Sequence, residues 1–277
     1  MRQRSWAALV GTAVGDALGD QLYLRSDAER RRLPTPPWRW TDDTEMACSV
    51  FHVLDTHGHI DPDALAASFV EHYDADRNYG PAIDAMMRDV AKGASLRELA
   101  AQTFGGTGSW GNGGAMRIAP LGAWFAGDPA EAARQAEIAA RVTHTHPEGV
   151  AGAVATAVAA AVEPAAMFDE VLRHTPPGVV HDGIRRAVDL AGADPADAAE
   201  VLGTGSRISA PDTVPLALWV VARHPHDYVE AVWTVAALAE DVDTLCAIVG
   251  GIIAGRVGED GIPPEWRQAA EPLPSWV

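Results

Sequence analysis

Two short clusters of acidic and hydroxyl residues are the parts of this sequence best suited to chemistry. One is Thr-Asp-Asp-Thr at 41–44 and the other is Glu-Asp-Val-Asp-Thr at 240–244, and apolar stretches of helical length follow at 46–54 and 245–254. Taken singly, each cluster is typical of an ordinary helix start, where Thr and Asp cap the first turn. A pair of them in front of buried helices indicates more, because unpaired carboxylates in an interior are expensive unless a cation compensates them.

The ligand types in the two clusters indicate which cation would suit them. They offer carboxylate and hydroxyl oxygens, with no Cys or His at ligand spacing. Such donors favour hard cations, Mg²⁺ or Mn²⁺, over Zn²⁺. Because four aspartates could neutralise two divalent ions, the predicted cofactor is a pair of divalent cations, Mg²⁺ or Mn²⁺.

A glycine-rich segment and a histidine could bind the phosphate groups of a ligand. Residues 105–114 read Gly-Gly-Thr-Gly-Ser-Trp-Gly-Asn-Gly-Gly and run into a predicted helix, and bare N–H groups ahead of a helix make a cradle for phosphate oxygens. The segment lacks the spacing of a Walker loop and follows no visible strand, so a simple turn is the alternative. His144 precedes another apolar helix, where a structural hydrogen-bonding role is the alternative.

The elements that must position these residues are predicted to be helices. Apolar segments of helical length alternate with short pieces rich in Gly, Pro, Asp and Thr, and alternating polar and β-branched runs are nearly absent. Gly, Ala and Ser recur inside the apolar stripes, which indicates central helices whose axes approach closely. The predicted helices are 6–22, 44–55, 62–73, 82–92, 95–101, 114–125, 129–141, 149–162, 165–173, 179–190, 195–201, 214–223, 228–239 and 245–257.

Length and composition favour a single domain. The chain has 277 residues, of which 48% are hydrophobic, enough for one large core. Because no long linker, charge block or fixed repeat divides it, we predict a single compact multi-helix domain over 1–277, all-α, with a loose Pro-rich tail at 263–277. The longest apolar tract, 150–162, has 13 residues, whereas a membrane span needs about 20.

Charge and cysteine content limit the partners and the compartment. The formal net charge is −17, so the surface should repel the phosphates of nucleic acids and of anionic membranes. We expect no stable nucleic-acid binding, no membrane association and a monomer. Cys48 and Cys246 cannot form a disulfide framework, and the first residues lack the apolar stretch of a secretory signal, so we expect a cytoplasmic protein.

Together these features resemble the ADP-ribosylglycohydrolase family. The matching segments keep the family's order along nearly the whole chain and are Gly-Thr-Ala-Val-Gly-Asp-Ala-Leu-Gly at 11–19, Trp-Thr-Asp-Asp-Thr at 40–44, Gly-Asn-Gly-Gly-Ala-Met-Arg at 111–117, Thr-His at 143–144, Asp-Val-Asp-Thr-Leu at 241–245 and Val-Gly-Gly-Ile-Ile-Ala-Gly at 249–255. The resemblance implies an all-α fold with a dinuclear metal site at the N-termini of central helices. It also implies hydrolysis of the glycosidic bond between the distal ribose of ADP-ribose and an acceptor, with arginine favoured. The partner would be an ADP-ribosylated protein or a small-molecule ADP-ribose conjugate.

The resemblance also implies roles for particular residues. The metal ligands would be Thr41, Asp42, Asp43, Asp241, Asp243 and Thr244. Either Asp42 or Asp43 would act in catalysis, by orienting the attacking water or taking its proton. The residues that would bind the ADP-ribose portion are Phe104, Gly108, Ser109, Trp110, Gly111, Asn112 and His144.

Two segments depart from the family pattern. Many members have an acidic gate residue where this chain has Tyr23; Asp27 and Glu29 are candidate substitutes, and the absence of a gate is the alternative. The loop at 239–244 reads Ala-Glu-Asp-Val-Asp-Thr, where the family more usually has two glycines before the first Asp and a Thr between the Asp residues.

If the acceptor is arginine, the segment at 74–79 is the candidate rim that seats its guanidinium group, with a solvated turn as the alternative. The candidate rim residues are Asp74, Asp76 and Tyr79.

Other functions are compatible with the same residues. A two-metal nucleotide phosphohydrolase could use the same carboxylates and would release AMP or phosphate. A non-catalytic member of the family would bind ADP-ribose without turnover. Within the hydrolase prediction, arginine, serine, nucleobase and O-acyl linkages all stay open.

Overall fold

Helices make up almost all of the regular structure of this protein. The computed structural model describes residues 1–22 and 25–277. Across these residues no β-strand forms, and extended backbone pairs only in two isolated bridges, Trp38 with Ala270 and Gly111 with Ser209. The predicted all-α fold is therefore confirmed. Tyr23 lies outside the described residues.

The helices of the described residues follow one another with short connections. They are α1 (Arg2–Asp20), α2 (Arg25–Glu29), α3 (Asp42–His57), α4 (Pro62–Glu71), α5 (Pro81–Val90), α6 (Leu96–Gly106), α7 (Gly113–Met116), α8 (Ala119–Trp124), α9 (Pro129–Arg141), α10 (Pro147–Ala161), α11 (Met167–His174), α12 (Val179–Asp189), α13 (Pro195–Leu202), α14 (Ala210–Arg223), α15 (Tyr228–Leu238), α16 (Val242–Val257) and α17 (Pro264–Ala269). Two single 3₁₀ turns lie at Pro164–Ala166 and Glu259–Gly261. None of the described helices is both long enough and apolar enough to cross a membrane.

Two predicted helix boundaries differ from the structure because of proline. The helix predicted at 114–125 is two short helices, α7 and α8, with Pro120 in the first turn of the second. Proline has no backbone N–H, so it starts a helix more readily than it continues one. Helix α14 begins at Ala210, four residues before the predicted start at 214, with Pro211 in its first turn, and it also carries Pro215 in its interior.

The prediction of a loose C-terminal tail is wrong for its first part. Residues 264–269 form α17, whose Trp266 is buried against the rings of Trp38 and Trp233. The backbone after α17 pairs with Trp38, which accepts a hydrogen bond from the N–H of Glu271 at 2.8 Å. A prediction from Pro content alone missed the burial of this tryptophan.

Helices α1 and α16 form the centre of the core. Helix α16 is buried from Thr244 to Gly255, and nearly all of α1 beyond its first turn is buried too. The two helices run antiparallel in close contact, because Gly11 lies against Ala254 and Gly15 lies against the Cys246 carbonyl. The end of α1 therefore lies beside the start of α16.

Glycine spacing fixes this close approach. A Cβ atom on Gly15 would lie 2.3 Å from the carbonyl oxygen of Cys246, and one on Gly19 would lie 2.6 Å from the Cα of Asp243. Residues four apart share one helix face, so the glycines at 11, 15 and 19 form one smooth stripe along α1. Without side chains on this stripe, the acidic residues at the two helix ends come close together.

The variant Gly15→Ala should lower the free energy of unfolding by about 1–3 kcal/mol, because its methyl group overpacks the contact between α1 and α16. Urea unfolding of the purified variants measures this change. Gly192→Ala is the matched control, since its methyl group would meet no heavy atom within 4 Å. Equal stability of the two variants would contradict the close packing of α1 on α16.

Candidate metal centre

Three carboxylates from three different helices meet where α1 ends. Asp16 of α1, Asp43 of α3 and Asp243 of α16 each offer an oxygen atom, and these atoms lie within 4.8 Å of one another. Asp16 and Asp43 are buried, and Asp243 is partly exposed. A group of three carboxylates at this spacing could hold a metal ion, since carboxylate oxygens are the ligands that hard divalent cations take in proteins.

Asp16 is the member of this group that sequence reasoning did not identify as a ligand. Its Oδ2 atom accepts hydrogen bonds from the backbone N–H of Thr41 at 2.9 Å and of Thr44 at 3.1 Å. Its Oδ1 atom accepts from the Thr41 hydroxyl at 2.9 Å. The available signal was one acidic residue inside an otherwise apolar helix, because a fully buried carboxylate is rare unless it is paired.

The hydrogen bonds to Asp16 also fix the start of α3. Thr41 is the N-cap of α3, and its hydroxyl accepts a hydrogen bond from the N–H of Asp43 at 3.3 Å. The first N–H groups of a helix have no partner within the helix and carry partial positive charge, so a carboxylate there is stabilising. Asp16 therefore positions Asp42 and Asp43, which follow directly.

Asp43 has a buried oxygen without a partner. Its Oδ2 atom accepts from the hydroxyl of Thr244 at 3.5 Å, but its Oδ1 atom is buried and has no hydrogen-bond partner among the described residues. A buried acceptor left unpaired is costly. A cation bound among the three carboxylates would satisfy this oxygen, so the residues present fit a divalent ion.

Burial and mutual repulsion make this cluster hard to ionise without a cation. Burial, followed by the charge of Asp243, raises the pKa of Asp16 to about 7, and the same two causes raise the pKa of Asp241 to about 7. Burial and then the charge of Asp16 raise the pKa values of Asp42 and Asp43 well above the ordinary value. Among the described residues, no basic side chain forms an ion pair with these carboxylates, so a bound cation would lower their mutual repulsion.

A cavity of about 570 Å³ opens onto this cluster. Its acidic end includes five of the six predicted ligands, which are Asp42, Asp43, Asp241, Asp243 and Thr244. The sixth, Thr41, does not line the cavity, because its side chain is turned toward Asp16. The structure therefore brings the two clusters at 41–44 and 240–244 to one place, from positions about two hundred residues apart in sequence.

The glycine-rich segment forms another wall of the same cavity. The predicted ligand-binding residues that line it are Phe104, Ser109, Trp110, Gly111, Asn112 and His144. Asn112 connects the two walls, since its amide donates to Asp241 at 2.6 Å and to Thr213 at 3.0 Å. Gly108 does not line the cavity. Its φ of +77° and its contact with Thr145 require glycine for the backbone alone.

Apolar side chains are exposed around the cavity. Phe104 is 62% exposed and Trp110 is 50% exposed. The cavity wall also includes Arg207 and Ile208, which sequence reasoning missed. Ile208 is 63% exposed, and both it and Phe104 have positive φ, near +50°. A β-branched residue in this conformation is unusual, but no residue pattern in the sequence signals it.

The predicted acceptor rim is placed beside the cavity wall and not in it. Asp74, Asp76 and Tyr79 do not line the cavity, whereas Asn78 and Gly80 of the same segment do. The N–H of Asp74 and the hydroxyl of Tyr79 donate to the buried carboxylate of Glu45, at 2.9 and 3.3 Å. Burial raises the pKa of Glu45 to about 7.

The two candidate substitutes for the gate residue lie apart from this cavity. Asp27 and Glu29 are both in α2 and do not contribute to its described lining. Asp27 pairs with Arg32 at 3.3 Å. The described structure therefore gives neither residue a place at the acidic centre.

The chain as a whole matches one family of glycohydrolases. The sequence model of the ADP-ribosylglycohydrolase family matches residues 1–276, and the chain belongs to that family. The predicted family, fold class and enzyme class are thereby confirmed.

Individual relatives extend over most of the chain. ADP-ribosylhydrolase ARH3 of Gallus gallus is 25% identical, over 84% of this chain and 74% of its own length. ADP-ribosylarginine hydrolase Tri1 of Pseudomonas putida (strain GB-1) is 26% identical, over 95% of this chain and 73% of its own length. A solved structure described as an ADP-ribosylglycohydrolase-related protein complex superposes with a TM-score of 0.72 at 27% identity, covering 98% of this chain and 93% of that one.

The cation-free protein should lose stability as the pH rises from 5 to 8. A carboxyl group whose pKa is raised by folding stabilises the folded state fully below its unfolded pKa, near 3.8, and this contribution is lost as the pH passes through the folded pKa, about 7 for Asp16 and Asp241. Thermal unfolding in EDTA measures the loss, and added Mg²⁺ or Mn²⁺ should reverse it at pH 8 because it binds the folded state.

Asp43→Asn should flatten this pH dependence and remove most of the stabilisation by Mg²⁺ or Mn²⁺, because it takes one charge out of the cluster. Asp189→Asn, at an exposed position of α12, is the control and should behave like the unaltered protein. If the EDTA-treated protein keeps constant stability from pH 5 to 8, the carboxylates do not repel one another as described.

Proposed function

We propose that this protein is a metal-dependent hydrolase that cleaves the glycosidic bond between the distal ribose of ADP-ribose and an acceptor side chain, arginine in preference. The observation that carries the proposal is the meeting of buried and half-buried carboxylates from α1, α3 and α16 at one end of a cavity whose other wall is glycine-rich. The acidic end suits cations and a leaving group of positive charge, and the glycine-rich wall suits a diphosphate.

The proposed cofactor is a pair of divalent cations, Mg²⁺ or Mn²⁺. The residues that would hold them are Asp16, Thr41, Asp42, Asp43, Asp241, Asp243 and Thr244. Bound divalent cations would supply positive charge that orients ribose hydroxyl groups and promotes ionisation of a water molecule near neutral pH. The unpartnered Oδ1 atom of Asp43 is the feature that most directly supports this assignment.

Asp42 is the proposed proton acceptor. It lines the cavity and is partly exposed, whereas the neighbouring Asp43 is buried. A general base must reach the proton that it takes, and it works best with a pKa near the working pH. Asp42 would orient the attacking water toward the anomeric carbon, where positive charge develops as the glycosidic bond breaks.

The wall opposite the carboxylates would position the rest of the ligand. Backbone N–H groups of the segment 109–113 and the ring of His144 would contact the diphosphate and distal ribose, and Gly108 would shape the turn before them. Phe104 and Trp110 offer aromatic faces to the ligand, since aromatic rings stack favourably on one another. The residues of this wall would orient the ligand, which lowers the entropic cost of reaching the transition state.

Arginine as acceptor is supported by charge and by one relative. A guanidinium group would be favoured beside carboxylates that hold no metal ion, such as Asp74 and Asp76, and the relative from Pseudomonas putida is named an ADP-ribosylarginine hydrolase. The proposed outer rim of the acceptor site is the segment that follows α4 and precedes α5, with Asp74, Asp76 and Tyr79 next to the lining residues of the cavity.

The proposed partner is an ADP-ribosylated protein or a small-molecule ADP-ribose conjugate. We propose that the protein acts on it in the cytoplasm and as a monomer.

The direct test is incubation of the purified protein with peptides carrying ADP-ribose on arginine or on serine, in Mg²⁺, in Mn²⁺ or in EDTA. We expect intact ADP-ribose to be released from the arginine-linked peptide, and this release to stop in EDTA. Chromatography of the products distinguishes the alternatives. Release of AMP would identify a phosphohydrolase, and ADP-ribose binding by calorimetry without release would identify a non-catalytic binding protein.

Variants of the acidic centre serve as controls in the same assay. Asp243→Asn should reduce the rate of ADP-ribose release by about 100-fold or more. Mutation of residues that only support metal ligands already lowers metal affinity or activity by about 10- to 100-fold. Asp189→Asn should leave the rate unchanged, and circular dichroism should show equal helix content in both variants. Full activity of Asp243→Asn would overturn the assignment of the metal centre, and faster release from serine would overturn the proposed acceptor.

A further inference from the structure

The ring of His144 is buried, but one edge of it borders the cavity. A Cβ atom on Gly111 would lie 3.3 Å from the Nε2 atom of His144, and one on Gly113 would lie 3.0 Å from it. Both glycines line the cavity, as His144 does. The Nε2 atom is therefore the ring nitrogen on the side of the glycine-rich wall.

The other ring nitrogen ends a short chain of polar groups inside the protein. The Nδ1 atom of His144 is 2.8 Å from the hydroxyl oxygen of Thr143. The same hydroxyl oxygen is 2.8 Å from the Nη2 atom of Arg117, whose side chain is fully buried. Arg117, Thr143 and His144 thus form one row that runs from the core to the cavity.

Counting hydrogen atoms along this row assigns the tautomer of His144. A guanidinium group can only donate, so the Thr143 oxygen accepts from Arg117. The hydroxyl group has a single hydrogen atom, and the Nδ1 atom of His144 is its only acceptor among the described residues. A proton on Nδ1 would leave this buried hydroxyl hydrogen without a partner there. If Thr143 donates to Nδ1, then Nδ1 is an acceptor, and in a neutral ring the proton is on Nε2.

The position of Arg117 is fixed independently of the histidine. Its guanidinium lies 4.7 Å from the centre of the Phe69 ring, and its Nη2 atom also donates to the carbonyl of Ala139 at 3.2 Å. Burial lowers the pKa of Arg117 to about 10, so the group is still charged at neutral pH. Burial and this charge lower the pKa of His144 to about 3, which keeps its ring neutral.

We propose that Arg117 and Thr143 are positioning residues that hold His144 in the neutral tautomer with its proton on Nε2. His144 then offers one hydrogen-bond donor at the cavity wall and no acceptor. The ligand group that fits is an oxygen atom that accepts a hydrogen bond, as in a phosphate or a hydroxyl-bearing sugar. That this ligand is ADP-ribose rests on the proposed function, whereas the tautomer does not.

The tautomer can be read from long-range ¹⁵N–¹H NMR spectra of the full chain labelled with ¹⁵N-histidine, in Mg²⁺ at pH 7. The His144→Gln variant identifies the signals of His144. We expect the protonated-nitrogen shift at Nε2 and the unprotonated shift at Nδ1. Signals of an imidazolium ring, or of the tautomer with its proton on Nδ1, would overturn the proposal. Spectra of the unaltered protein are sufficient for this result.

Variants of Thr143 test whether its hydroxyl group sets the tautomer of His144 or only contributes to packing. Thr143→Val removes the hydroxyl and should shift the signals toward a mixture of tautomers, whereas Thr143→Ser should keep the signals of the unaltered protein. Thr145→Val is the control, because the Thr145 hydroxyl donates to the carbonyl of Ala100 and not to a histidine. An unchanged tautomer in a folded Thr143→Val protein would contradict the role of the hydroxyl.

Calorimetry with ADP-ribose gives a second readout. Loss of one hydrogen bond to the ligand should weaken binding about threefold to tenfold in Thr143→Val, with Thr143→Ser binding as tightly as the unaltered protein. Equal affinity of all three proteins would contradict donation by His144 to the ligand. If the unaltered protein has the expected tautomer but does not bind ADP-ribose, the proposed function fails while the assignment of the tautomer stands.

Discussion

Several carboxylates are buried or half-buried where three helices meet, and their burial costs free energy. Asp16, Asp43 and Asp243 approach one another because the glycine stripe of α1 lets α16 come into backbone contact. Part of the cost is offset locally, since the first N–H groups of α3 donate to Asp16. The rest is not offset by any described partner of the Asp43 Oδ1 atom, and a buried, unpaired carboxylate is strongly unfavourable. A cation bound at this junction would offset the remaining cost.

Under the proposed function, the same cavity also accepts a diphosphate, whose negative charge the acidic residues would repel. A net charge of −17 works against a diphosphate, so its binding has to come from local groups. The glycine-rich wall offers backbone N–H groups, and His144 offers a neutral ring backed by the buried charge of Arg117. Field strength falls off with distance and with screening by salt, so these near groups act more strongly on the ligand than the distant acidic surface.

Sequence reasoning found the parts of the site that are local in the chain. The clusters at 41–44 and 240–244 stand out because acidic residues precede apolar helices, and the glycine-rich segment stands out by composition. Asp16 does not stand out in the sequence, because it is a single carboxylate in α1 and joins a cluster only when α3 packs beside it. Arg207 and Ile208 were missed because only the folded chain brings their loop to the cavity. The C-terminal helix α17 was missed because its stability comes from burying Trp266 against distant rings and not from local propensity.

The proposed binding site for divalent cations is the junction of α1, α3 and α16. Anomalous X-ray diffraction from crystals grown with Mn²⁺ tests it most directly, because the anomalous signal locates manganese without assuming any ligand. We expect anomalous peaks at this junction, with carboxylate oxygens of Asp43 and Asp243 among the atoms nearest to them. A structure that shows manganese elsewhere in the protein and none at this junction would contradict it.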